Sequence, residues 1–295
     1  MTTTFTAACV QTSSARDVAP NIEAASRLVR AARGAGADLI LLPEIVNMLE
    51  PRKHLAREKA RPQDEDPALA AFRALAADTG AWLLIGSLVI KLNDEMLANR
   101  SFLVAPDGAI VAHYDKIHMF DVEVDDGQTY RESAAYQPGA RAVVAATPWG
   151  RLGMTVCYDV RFPYLYRSLA QAGADLISVP AAFTRVTGQA HWHALLRARA
   201  IENGCFVLAP AQCGEHAEKR RTYGHSLIID PWGEVLADGG DDVGFVVADI
   251  DLSKVAQARR SIPSLTHDRS IEEMEVCPAP GEADAAPVRR RARAR

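Results

Sequence analysis

The sequence predicts an α/β protein built as a four-layer α-β-β-α sandwich of two similar β-α-β-α-β-β halves. Three observations predict it. Short continuous apolar runs, as strands covered on both faces require, alternate with segments of helical period. The phrase AGADLI stands at residues 35–40 and again at 172–177, each time with a proline three residues on, Pro43 and Pro180. The turns Pro106-Asp107-Gly108 and Pro231-Trp232-Gly233 each separate two extended runs. A common helix-stop-then-strand phrase would also explain the echo, because helix ends favour glycine. Two stacked halves explain the echo and the turns together. They make one domain of a length that alone suggests about two.

Each element has a local reason. Phe5–Val10 reads as a strand. Asn21–Arg33 places Ile22, Ala25, Leu28, Val29 and Ala32 on one helical face and stops at Gly34. Asp38–Leu42 is an apolar run suited to a buried strand. Pro67–Thr79 is a helix with Leu69, Phe72, Leu75 and Ala76 inward, and Trp82–Ile90 is a second buried strand. Phe102–Ala105 and Ala109–His113 form a hairpin about the PDG turn. In the second half, Val143–Ala146 and Leu152–Val156 flank Pro148-Trp149-Gly150. Tyr164–Gln171 is helical, and Asp175–Val179 is a strand. Gln189–Asn203 is a helix with Ala194, Leu195, Ala198 and Ile201 inward, and Cys205–Ala211 is a strand. Leu227–Ile229 and Val235–Ala237 flank the last turn.

Composition removes several function classes. Apolar residues are 48% and charged residues 24%, a globular balance. The net charge of −4 argues against a protein that works by neutralising phosphates, so no nucleic-acid partner is expected. No apolar run approaches the ~18 residues of a membrane span. The start, MTTTFTAACV, lacks a basic region followed by an apolar one, so no secretory signal is expected. The five cysteines (9, 157, 205, 213 and 277) show neither a CxxC pair nor finger spacing. A reduced, cytoplasmic protein follows as the expectation. The domain is expected to run over 1–277. Residues 278–295, with no periodicity and an arginine-rich end, read as a disordered basic tail.

Four residues could carry chemistry. Cys157 ends an apolar strand and precedes a helix, where α/β architectures expose reactive groups and free N–H donors; a packing cysteine fits the same position. Glu44 follows an apolar strand and Pro43. Burial would raise its pKa and suit it to general-base work, and a strand-end ion pair is the other reading. Lys116 and Glu132 would each pass as surface residues if met alone. Together the four answer one need: a thiol to attack a carbonyl or nitrile carbon, a base for its proton, a cation for the oxyanion and a proton for the leaving ammonia, with no histidine or metal.

These residues stand in LLPE (Glu44), YDKIH (Lys116), YRESAAYQPG (Glu132) and CYDVRFP (Cys157). In that order they resemble the nitrilase, or carbon–nitrogen hydrolase, superfamily, over about residues 4 to 275. The phrases KIHMFDVEV, DDGQTYRESAAYQPG, AAFTRVTGQAHWHALLRARAIEN and AQCGEHAEKRRTYGHSLIIDPWG are most similar to its deaminated-glutathione amidase branch. One departure is His193, where that branch usually has Glu. The resemblance implies an α-β-β-α sandwich that forms a homodimer or higher homo-oligomer and needs no cofactor.

It also implies a thiol amidase that releases ammonia from a small carboxylate-bearing amide, with Cys157 as nucleophile and Glu44 as base. Lys116 and the Tyr158 backbone N–H would hold the oxyanion, and Glu132 would orient Lys116 or the amide. Substrate contacts are expected from Arg161 and Arg185, candidate carboxylate clamps, and from Phe120, a candidate wall. For Arg161 an ion pair at the strand-to-helix turn, and for Phe120 an ordinary core position, fit as well. Alternative activities are an ω-amidase on α-ketoglutaramate, an N-carbamoyl-amino-acid hydrolase or a nitrilase. A catalytically inactive binding protein of the same fold is the alternative from another class. No metal site is expected: His191-Trp192-His193 resembles a metal pair but lacks a third ligand in sequence, and a helical face accounts for it. Gly224-His225-Ser226 is not a nucleophile elbow, because position 228 is Ile. There is no P-loop and no GxGxxG after a strand.

Overall fold

In the computed structural model, which describes residues 3–124 and 128–275, the two AGADLI phrases do the same work in two different sheets. In each, a glycine with positive φ (Gly36, 95°; Gly173, 90°) turns the chain out of a helix, a conformation an L side chain rarely adopts. The aspartate then sets strand register. The amides of Asp38 and Asp175 donate to the Thr6 and Arg151 carbonyls, both at 2.8 Å. Their carboxylates accept from the amides of the same two residues, at 3.2 and 3.0 Å. The echo in the sequence is thus an echo in structure.

The first half runs β1 (Thr4–Gln11), α1 (Val18–Gly34), β2 (Leu39–Leu41), α2 (Lys53–Lys59), α3 (Pro67–Thr79), β3 (Trp82–Lys91), β4 (Leu97–Val104) and β5 (Ile110–Asp115). A ribbon of β6 (Asp121–Val124) and β7 (Gln128–Arg131) follows. The second half runs β8 (Val143–Ala146), β9 (Arg151–Met154), α4 (Pro163–Gln171), β10 (Leu176–Ser178), α5 (Arg185–Asn203) and β11 (Phe206–Ala209). It continues with the small ribbon β12 (Cys213–Glu215) and β13 (Arg221–Tyr223), then β14 (Leu227–Ile229), β15 (Val235–Asp238), β16 (Gly244–Asp251) and α6 (Ser253–Ser261).

The six-stranded sheets have orders β16-β1-β2-β3-β4-β5 and β8-β9-β10-β11-β14-β15. In each, three central strands are parallel and the outer ones antiparallel. Alternation along the strands makes the layers. Ala8, Val10, Ile40, Leu83 and Ile85 pack with Ala25, Val29, Phe72 and Ala76 of α1 and α3. Ala7, Cys9, Leu39, Leu41 and Leu84 face the other way, into a core shared with Leu152, Met154, Leu176, Val207 and Leu208. The predicted four-layer sandwich is the fold observed, with two differences. The last strand, β16, returns to pair with β1, so the first sheet is completed by the far end of the chain.

The buried face of α5 is also not the predicted one. Trp192, Leu196, Arg199, Ala200 and Asn203 are buried, while Ile201 is 51% exposed. Two polar side chains lie in the interior here, each tied to a backbone carbonyl through its nitrogen. Arg199 donates to the Val160 carbonyl (2.9 Å) and stacks on Tyr166, and Asn203 donates to the Arg199 carbonyl (2.8 Å). The predicted tail at 278–295, and Cys277, lie outside the described residues. No helix of the described residues is long and apolar enough to cross a membrane.

Candidate active site

Glu44 leaves the C-terminal end of β2 in a loop moulded by β3. A bulge in β3 at Gly86-Ser87 turns its backbone and side-chain groups to that loop. Ser87 donates to the Pro43 carbonyl (3.2 Å), its carbonyl accepts from Val46 (3.0 Å), and its hydroxyl accepts from Ile45 (2.8 Å). A Cβ on Gly86 would meet the Leu42 carbonyl at 1.9 Å and Pro180 at 2.6 Å, so only glycine admits the two halves this close. Glu44 is thereby aimed across the seam. Its Oε2 accepts from the Ala182 amide (2.7 Å), in the loop after the second proline, Pro180.

Cys157 sits just past β9 with φ +49°, a left-handed conformation that strains a non-glycine residue by about 1 kcal/mol. The surrounding bonds impose it. The Cys157 amide donates to the Pro180 carbonyl (2.9 Å) and the Asp159 amide to the Val156 carbonyl (3.1 Å), which leaves the Tyr158 amide between them. Asp159, fully buried, accepts from the Val156 amide (2.8 Å), the Tyr114 hydroxyl (2.7 Å) and both the amide (3.1 Å) and ring Nδ1 (2.7 Å) of His118. It fastens the cysteine turn to the segment that carries Lys116. Asp159 was visible within CYDVRFP but carried no sign of this role.

Lys116, 2% exposed, stands between two carboxylates. Its Nζ is 2.9 Å from Glu44 Oε1 and 2.8 and 3.0 Å from the oxygens of Glu132. The ammonium thus fills the place a cation would take. Asn99 donates Nδ2 to Glu44 (2.8 Å) and to Glu132 (3.3 Å), and the Phe120 amide donates to Glu132 (2.7 Å). Sequence reasoning missed Asn99, one asparagine inside an otherwise ordinary strand. Its buried Oδ1 has no partner among the described residues.

The electrostatics reverse the expectation for Glu44 and set the protonation of its partners. Burial presses the Glu44 pKa up, but the Lys116 charge and the bonds from Lys116, Cys157 and Asn99 outweigh it and hold the carboxyl below its ordinary value. Burial and the facing Glu44 charge push the Cys157 thiol well up, more than Lys116 lowers it. Lys116 loses by burial and gains more from Glu132 and Glu44, so it stays charged. The resting set is therefore a neutral thiol, an ionised Glu44 and an ammonium: a base facing a proton donor, rather than a preformed thiolate.

A cavity of about 200 Å³ opens over these groups, lined by Cys157, Glu44, Lys116, Glu132 and Asn99, with Phe120 in its wall. Neither Arg161 nor Arg185 is among the lining residues. Arg161 lies behind the wall over the rings of Tyr158 and Phe183 and beside His191 (3.3 Å), and Arg185 is exposed at the start of α5. Two arginines do line the cavity, Arg131, which is paired with Glu123 (2.8 Å), and Arg220. Arg220 is the one turned inward by the second ribbon. It donates Nη2 to the Ala182 carbonyl (3.2 Å), lies over Tyr130, and keeps a buried Nε without a partner. Nothing distinguished it within the run Lys219-Arg220-Arg221, because only the β12–β13 ribbon turns one of these three inward.

That ribbon is anchored by His216. Its ring is bonded to the Ser14 carbonyl (3.1 Å) and the Thr222 hydroxyl (2.7 Å). Burial, partly opposed by the Ser14 bond, lowers its pKa from 6.5 to about 4. A base whose folded pKa is depressed leaves the unfolded chain holding more protons between the two values. Its contribution is complete above pH 6.5 and is lost as pH falls towards 4, on the order of 3 kcal/mol in all. Urea midpoints at pH 7 and 4.5 are expected to drop further in the wild type than in His216→Gln; equal drops refute the assignment.

A paired-sheet sandwich with a thiol, two carboxylates and an ammonium converging on one cavity is the architecture of a hydrolase of small C–N compounds. The chain belongs to the carbon–nitrogen hydrolase family, whose profile matches residues 6–260. It is an enzyme acting on carbon–nitrogen bonds other than peptide bonds. It is 42% identical over 243 residues to a deaminated glutathione amidase of Yersinia enterocolitica, covering 81% of this chain and 85% of that one. It is 41% identical over 272 residues to one of Synechocystis sp., covering 89% and 97%. The crystal structure of the Caenorhabditis elegans NitFhit protein superposes with a TM-score of 0.84 at 37% identity. That match takes in 90% of this chain and 65% of the other, so the chain spans just under two thirds of that protein.

Proposed function

We propose that the protein is a thiol amidase that hydrolyses a small carboxylate-bearing amide and releases ammonia, with deaminated glutathione as substrate. The observation that carries the chemistry is Lys116 bonded to both Glu44 and Glu132 in the lining of the Cys157 cavity. Glu44 takes the thiol proton as Sγ attacks the amide carbon. The Tyr158 amide and the Lys116 charge meet the oxyanion; one such donor contributes about 3 kcal/mol. Glu44 returns the proton to the departing ammonia, leaving a thioester. It then takes a proton from water, whose oxygen attacks the thioester, and restores that proton to Cys157 as the acid leaves. Glu132 holds Lys116 in place.

Arg220 supports a carboxylate on the substrate. Its guanidinium lines the cavity with an Nε that has no acceptor among the described residues, a donor suited to a substrate anion. Arg220→Gln is expected to raise KM for the carboxylate-bearing amide about 10- to 100-fold, with turnover of a neutral amide unchanged. Equal loss on both substrates refutes the clamp. The reading as a whole is tested by ammonia release from deaminated glutathione, α-ketoglutaramate, an N-carbamoyl amino acid and a nitrile, with Cys157→Ala as blank. Release from the first above the others is the expected result. Preference for another member replaces the substrate, and no Cys157-dependent release from any leaves the inactive binding protein.

The same proposal takes residues 1–277 as one domain with 278–295 as a tail, in the cytoplasm, where the free buried cysteines 9, 157, 205 and 213 stay reduced. It takes the protein as a homo-oligomer. The exposed Trp232 and Ile201, side chains of the β14–β15 turn and α5, supply apolar surface for self-association.

A further inference from the structure

The sequence offered His193 as half of a metal pair without a third ligand; the fold supplies the companions from elsewhere. His193 projects from α5, His225 precedes β14 and Asp238 ends β15. We propose that His193, His225 and Asp238 bind a divalent transition-metal ion of the zinc class, fastening α5 to the edge of the second sheet.

His193 Nε2 lies 3.0 Å from Asp238 Oδ2, and His225 Nδ1 lies 2.9 and 3.1 Å from the two carboxylate oxygens. All the donor atoms fall within 4.8 Å of one another. A tetrahedral ion with bonds of about 2.0–2.1 Å holds its donors about 3.3 Å apart. The nitrogen–oxygen spacings need a few tenths of an ångström of opening. The remaining adjustment is a small rotation of the two imidazoles, which are 35% and 22% exposed.

The surroundings already orient the ligands. The Gly240 amide donates to Asp238 Oδ1 (2.9 Å) and fixes the carboxylate plane. Tyr223 stacks on the His225 ring (4.4 Å), and the Trp192 indole N–H donates to the His225 carbonyl (2.9 Å). The far nitrogen of His225, Nε2, faces Asp241 at 3.9 Å. With a metal on Nδ1, the Nε2–H points to that carboxylate, the outer partner that metal-bound histidines usually have.

The donor set decides the metal. Two imidazoles and one carboxylate suit zinc, nickel, cobalt or copper, whereas calcium and magnesium want an all-oxygen cage. Three protein ligands leave a fourth position for water. None of the three lines the Cys157 cavity, so the ion is structural and separate from the thiol chemistry.

The test is calorimetric titration of the chelator-stripped full chain with zinc chloride, with cobalt absorption and thermal melting in parallel. Expected are one zinc per chain at micromolar affinity, a tetrahedral cobalt spectrum without thiolate bands, and a melting temperature that rises with zinc. His193→Ala and Asp238→Asn are each expected to weaken zinc at least tenfold and abolish the melting shift, with metal-free ammonia release unchanged. Cys157→Ala removes the competing thiol and should bind zinc as the wild type does. No saturable binding at micromolar zinc, or equal binding by His193→Ala, overturns the site and leaves a hydrogen-bonded His-Asp-His cluster.

Discussion

Cys157→Ala lowers ammonia release at least about 10⁴-fold while the melting temperature moves by no more than a few degrees. The first part follows because no second thiol among the described residues lines the cavity. Cys9 and Cys205 are fully buried and Cys213 is 2% exposed, and none of the three lines the cavity. Burial pushes the thiols of Cys205 and Cys213 each up to about 11. Cys157 is also raised, but unlike them it is hydrogen-bonded to a carboxylate, Glu44, and that base makes a protonated thiol usable. The second part follows from the backbone. The strained φ is held by the Pro180, Val156 and Asp159 bonds, which alanine leaves untouched. Glu44→Gln should lose at least ~10²-fold in ammonia release and slow alkylation of Cys157, because the proton then has no acceptor. Near wild-type release from either variant, measured against Cys205→Ala as control, refutes the assignment of nucleophile and base.

Much of the frame was legible because it rests on local rules. The α3 boundaries, Pro67–Thr79, follow from proline in the first turn and a left-handed Gly80 just past the last. The two AGADLI phrases marked equivalent strands because the same aspartate-to-strand bonds recur in both. What escaped depends on contacts between distant segments. The inner face of α5 was misplaced because Arg199 and Asn203 turn inward to donate to the Val160 and Arg199 carbonyls, contacts the sequence does not show. The arginines that line the cavity are Arg131 and Arg220, not Arg161 or Arg185, and Arg220 is placed there by the β12–β13 ribbon. The sign of the Glu44 shift was missed for the same reason. Burial could be guessed from LILLPE, but the ammonium that outweighs it comes from a residue 2.9 Å away in space and far along the chain.

That ammonium makes the second large effect one of stability as well as rate. Lys116→Met is expected to reduce ammonia release at least ~10³-fold and to destabilise the fold by about 3–5 kcal/mol, the usual consequence of removing one partner from a buried ion pair. In the wild type the folded Glu44 pKa lies below its ordinary 4.5, so its contribution is present above that value and lost as pH falls. Without Lys116, Glu44 and Glu132 face one another across a shared donor, Asn99, with no cation between them. One must then take up a proton to remain buried, and its folded pKa rises above the unfolded value. The sign inverts: the variant's stability declines as pH rises from about 4.5 to neutrality. Removing the second charge in Lys116→Met/Glu132→Gln should recover part of the lost stability and flatten that slope, yet recover no turnover, because the oxyanion still lacks its cation. Urea midpoints across pH 4.5 to 8 separate these cases. A single variant as stable as the wild type at neutral pH, or a double variant that regains activity, would mean that Lys116 is an ordinary buried lysine and not the charge that sets the site.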